Sequence, residues 1–114
     1  MRVIVAAFMM GVMAQDPATI TPEAAAKHVG ETVVVQGVVT RVHTSDRSNT
    51  TYLDFGPKYP DQIFTAVIFS SAQSRFPAAK ALEGKTVMVK GTIRLYKGKP
   101  EIVLEYAEQL RVAG

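Results

Sequence analysis

The sequence has no cysteine, which excludes a disulfide scaffold, a thiolate zinc site and a cysteine nucleophile together. It has no tryptophan and only 2 histidines, His28 in a helix-like stretch and His43 in a strand-like one, with no spaced carboxylates beside either. A metal site needs three or four convergent ligands, so no metal or other cofactor is expected. Charge is sparse as well. Thirteen Lys plus Arg against ten Asp plus Glu give a formal +3, a mild bias that permits an anionic partner without demanding one. The longest apolar run, Val3 to Met13, is eleven residues, well short of the roughly 20 that cross a bilayer as a helix.

That run follows Arg2 and ends in Val12-Met13-Ala14, with small or short residues at the two positions a signal peptidase reads. The expectation is a secretory signal, residues 1–14, cut after Ala14, and an exported domain, residues 15–114, in the periplasm or secreted. The alternative is an edge strand or core helix of the domain itself; Gly11 and three methionines suit a leader better. Cutting there removes one Arg and no acid and leaves +2. With 47% hydrophobic residues in 114, one domain with its own core is expected.

The remainder reads as strands with short helices. Thr21-Pro22-Glu23 offers a capping hydroxyl, a proline for the first helical position and a first-turn acid, before a brief helix over Ala24 to Val29 stopped by Gly30. Thr32 to His43, Thr50 to Phe55, Phe64 to Phe69, Thr86 to Tyr96 and Glu101 to Tyr106 read as strands. Between the third and fourth, Ser70 to Leu82 reads as a helix, with Pro77 at a start and Gly84 as the stop. Gly30-Glu-Thr-Val-Val-Val-Gln-Gly37 also matches Gly84-Lys-Thr-Val-Met-Val-Lys-Gly91 at a constant offset of 54 residues. In each copy one glycine opens a strand and a second interrupts it where a bulge or bend is expected.

Strand parity sorts the faces. Val87, Val89, Ile93 and Leu95 take the core side of the fourth strand, leaving Arg94 and Tyr96 on the other. Leu53 and Phe55 point in, with Tyr52 and Asp54 out; Ile102 and Leu104 point in, with Glu101 and Glu105 solvated. In the third strand Phe64/Ala66/Ile68 and Thr65/Val67/Phe69 remain equal choices. Past Gly37 the simplest pattern puts Val38 and Val42 inside and Arg41 and His43 outside, unless a bulge at the glycine reverses it.

Five strands, a helix between the third and fourth, and glycine-bent first and fourth strands resemble the OB-fold, an all-β, five-stranded barrel with short helices. The resemblance covers Thr21 to about Val112. Its motifs are Gly30-x-Thr-Val-x-Val-x-Gly37, Tyr52-Leu-Asp-Phe-Gly56, Phe64-Thr-Ala-Val-Ile-Phe69 and Gly84-Lys-x-Val-x-Val-x-Gly91, which are similar to single-domain bacterial relatives of the anticodon-binding and helicase-type OB domains. These imply a non-catalytic module for single-stranded nucleic acid. A second group, small periplasmic OB-fold proteins, fits the expected compartment and implies a stress-related or ligand-binding role, with a protein, glycan or small molecule as partner.

On such a barrel the candidate surface is the face of strands two and three, rimmed by the loops after strands one and four. Arg41, His43, Arg47 in the loop Thr44 to Asn49, Tyr52, Arg94, Tyr96, Lys97 and Lys99 would border it, with Lys58 and Tyr59 in the loop after strand two. Single strands need aromatic faces to stack on and cations along the backbone, and both are present. The competing roles are edge packing for the tyrosines and a solvated hairpin tip for the lysines. A catalytic reading has little to stand on, since Ser70, Ser71 and Ser74 have no histidine within sequence reach and Gly56-Pro57 and Gly98 are turn glycines.

Overall fold

The computed structural model describes residues 16–113, so the expected signal segment lies outside the described residues. Eight strands form one sheet: β1 (Thr19–Ile20), β2 (Thr32–Thr44), β3 (Thr51–Phe55), β4 (Phe64–Ile68), β5 (Thr86–Thr92), β6 (Arg94–Tyr96), β7 (Lys99–Val103) and β8 (Leu110–Val112). Their hydrogen-bonded order is β6-β7-β4-β3-β2-β5-β8, with β1 parallel to β2. Pairing of β4 with β7 is parallel and the rest of the path is antiparallel. The all-β expectation with short helices holds. Eight strands stand in place of five, however, and the sheet is not closed by a continuous ladder. The extra strands arise because Thr86 to Tyr96 divides at Ile93, and because β1 and β8 are 2 and 3 residues long, too short to leave an alternating pattern.

The sequence repeat is a structural symmetry. β2 and β5 pair so that Gly37 faces Val87 and Gly91 faces Val33, each glycine opposite the matching valine of the other copy. Gly30 N–H donates to the Ile93 carbonyl at 2.8 Å, and Gly84 N–H to the Val39 carbonyl at 2.7 Å. Val39 and Ile93 return bonds from their own N–H groups to Lys85 and Glu31. Gly30 and Gly84 have φ of +88° and +86°, where only glycine is unstrained. The chain changes course two residues beyond the inner glycines: the register shifts between Val39 and Arg41, and β5 ends before Ile93.

That placement corrects the parity. Alternation runs through Gly37 unbroken, so Val39 is fully buried and Val38 is exposed; the bulge at Thr40 then returns Val42 to the core side and Arg41 to the other. The inner glycines are required by close approach, because a Cβ on Gly37 would lie 2.5 Å from Pro22 and one on Gly91 would lie 2.5 Å from Ile102. Leu95, expected in the core, is 53% exposed because it lies past the corner on an edge strand with only β7 beside it. β4 is covered on both faces: Phe64, Ala66 and Ile68 join the core, while Thr65 and Val67 are also buried. Such burial on both sides erases the alternation that would have chosen a face.

The helices are tighter than expected: the first begins two residues earlier, at Pro22 instead of Ala24, and the second is divided. Pro22–Lys27 is a 3-10 helix, and Thr21 precedes it in extended conformation with no capping bond from its hydroxyl. Ser70 to Leu82 is two 3-10 segments, Ser70–Arg75 and Ala79–Leu82. They part at Phe76, whose φ of −130° follows from the ring of Pro77 next to it, which disfavours helical geometry in the preceding residue. Both segments bury small or apolar faces, Ala72, Ala79 and Leu82, against the sheet. The last expected strand starts earlier, at Lys99, and ends at Val103. Gln109 then holds the chain end: its Oε1 accepts from the N–H of Glu105 and of Tyr106, and its Nε2 donates to the Lys90 carbonyl.

Candidate functional site

Register builds the site. Arg41 pairs with Asp54, Asp54 with Thr65, Thr65 with Glu101 and Glu101 with Arg94, a row that crosses five strands in the order cation, acid, hydroxyl, acid, cation. Two residues along the strands, on the same face, His43 pairs with Tyr52, and their rings stack with centroids 6.3 Å apart and planes 17° apart. Above the row lies a cleft of about 530 Å³. It is walled by the β6–β7 hairpin on one side and by the loop after β3 on the other, and Arg41, His43, Tyr52, Tyr59, Tyr96, Lys97 and Lys99 line it.

The hairpin turn is Lys97-Gly98, with φ of +53° and +81°, the pair of positive values that a two-residue type I′ turn requires. It places the Lys97 ammonium 5.4 Å from the centre of the Tyr96 ring. The Lys99 ammonium points the other way, donating to the carbonyls of Pro60 at 2.5 Å and Gln62 at 3.1 Å, and so ties the two walls together. Tyr59 and Tyr96 are 65% and 56% exposed, faces open to a ligand.

Three residues of the expected set stand elsewhere. Arg47, at the exposed tip of the loop after β2, and Lys58, exposed in the loop after β3, do not line the cleft. The Arg94 guanidinium donates from Nε to Glu101 Oε2 at 2.7 Å and serves as the partner of that acid. Sequence parity placed both acids in solvent, and this is corrected: Asp54 and Glu101 are 4% and 6% exposed, because the two walls close over a face the pattern leaves open. Burial holds the Asp54 carboxyl above the ordinary aspartate range, opposed by the hydroxyl of Thr65, which donates to Oδ1 at 3.3 Å, and by the charges of Arg41 and His43. Alternation could not have flagged these acids. The signal was their register with Arg41 and Arg94, which a single sequence does not display. Among the described residues no group of three or more His, Asp or Glu gathers as metal ligands.

No family model matches the chain, and no curated protein matches it in sequence. Solved structures do resemble it. An aspartyl-tRNA synthetase from Leishmania major Friedlin superposes with a TM-score of 0.58 at 10% identity, over 86% of this chain and 21% of that one. An aspartyl-tRNA synthetase from Entamoeba histolytica gives 0.51 at 12% identity, over 87% and 25%. The OBody AM1L10, bound to hen egg-white lysozyme, gives 0.59 at 17% identity, over 88% and 97%. The chain thus spans about a fifth to a quarter of the synthetases it resembles. At these identities the likeness is one of fold, and the fold is OB-like.

Proposed function

We propose that the chain is a non-catalytic, exported OB-type module that binds single-stranded nucleic acid in the cleft. In this reading β2 to β7 wrap as a partly open five-strand barrel, with β5 and β6 as one strand bent at Ile93, and residues 1–14 are a signal removed after Ala14. The observation that carries it is the cleft lining: three tyrosines with exposed or half-exposed rings beside Arg41 and Lys97, stacking faces next to cations. The fold likeness to tRNA synthetases supports the same partner class. With so few cations, binding is weak and salt-dependent. Titrating the protein with a labelled single-stranded oligonucleotide of mixed sequence at low salt tests it; no salt-dependent binding at about tens of micromolar would overturn it.

The OBody likeness favours a second reading, because that domain, matched over almost its whole length, is seen bound to a protein. In it the exported module takes a protein or glycan ligand in the same cleft, and oligonucleotide leaves its spectra unchanged. For export, intact-mass measurement of protein secreted with its own N-terminus decides between loss and retention of Met1 to Ala14.

A further inference from the structure

We infer that the cleft floor selects guanine in the bound strand, taking the base's two adjacent N–H donors on the carboxylate of Asp54. The inference rests on the nucleic-acid reading above and names the part of the ligand that reaches the floor.

The floor and the rim differ in sign. Among the described residues no carboxylate lies within ion-pair distance of the rim cations Arg41 and Lys97, which are placed for a phosphate. The floor carries two buried carboxyls on either side of Thr65, an arrangement that repels phosphate. Acceptor capacity there exceeds what the protein uses. Asp54 takes one bond from Thr65 on Oδ1 and Glu101 takes one from Arg94 on Oε2; Gln62 lines the same cleft, and its side-chain oxygen is buried with no partner among the described residues. The Gln62 oxygen is costly to leave unpaired unless a ligand brings a donor, and each carboxyl keeps one oxygen with no bond from the protein.

Among the bases, guanine alone presents two adjacent donors, N1–H and the N2 amine, on one edge, and a carboxylate can accept both at once. Thymine and uracil offer one N–H between two carbonyls, whose oxygens would face the acids. Tyr52, Tyr59 and Tyr96 then supply faces for the flanking bases without regard to sequence.

The test is fluorescence anisotropy of the full chain with labelled oligo-dT and with the same strand carrying one central dG, deoxyinosine or 2-aminopurine. Deoxyinosine keeps N1–H without the amine; 2-aminopurine keeps the amine without N1–H. The expected order is dG tightest, by about tenfold over dT, with both analogues between. In Asp54→Asn, checked for folding by its melting curve, the dG to dT ratio falls towards one. The analogue series needs no variant and decides the matter if Asp54→Asn fails to fold. Binding of dT and dG strands within about twofold of each other overturns guanine selection and leaves strand binding standing. Binding of neither overturns both.

Discussion

Asp54 lies at the centre of the cross-strand row, and its burial raises its pKa. The folded state therefore holds this proton more tightly than the unfolded chain does. From the ordinary aspartate pKa upward to the raised one, stability falls as pH rises, because ionisation has to occur in a desolvated place. Asp54→Asn removes that cost while its amide oxygen can still accept from Thr65. We expect the variant to melt at or above the parent at neutral pH, with the gap narrowing on acidification; a gap that widens towards low pH contradicts the assignment. The inner glycines make a second residue-scale test. An added Cβ at Gly91 meets Ile102, which is fully buried in the sheet, whereas one at Gly37 meets the ring of Pro22, half-buried at the start of a short 3-10 segment outside the sheet. Gly91→Ala should cost about 1–3 kcal/mol and Gly37→Ala less, read as midpoint shifts in urea.

Among the elements, the β6–β7 hairpin brings Tyr96, Lys97 and Lys99 to the cleft within four consecutive residues. Lys97 occupies a left-handed position, so Lys97→Asn removes the charge while keeping a residue that favours the turn. It should flatten the salt slope of binding by about 0.7 with no loss of thermal stability. Lys99 is bound to Pro60 and Gln62, so Lys99→Ala should act through the walls, speeding amide exchange in the loop after β3; an unchanged exchange pattern there would separate the two walls. Both lysines are legible in the sequence as a basic hairpin, but their division of labour is not, because it depends on the carbonyls of a loop about forty residues away. The same limit explains the rest. The five long β-branched runs and the 54-residue repeat are visible because strand pairing is written in local alternation. The corner at Val39 and Ile93 is displaced from the glycines because it is made by backbone bonds between the two copies. Helical signal over Ser70 to Leu82 overrides nothing, since Pro77 divides it.

At the scale of the whole molecule, seven of the ten residues expected at the surface face converge on one cleft, and Arg47, Lys58 and Arg94 do not. What brings the seven together is tertiary closure, two loops folding over the β3–β4 face, and the same closure buries the acids that parity left in water. If the cleft binds a single strand, stacking and charge make separable contributions. Tyr52→Ala, which removes the ring stacked on His43, should weaken a single strand by about 1–3 kcal/mol at any salt. The most direct measurement is the affinity of the parent protein for a mixed-sequence single strand across a series of salt concentrations. If the cleft is the site, log K falls with log salt at a slope of about −1 to −2, set by the few cations at its rim. A slope of zero, or no binding at the lowest salt, would contradict nucleic acid as the ligand.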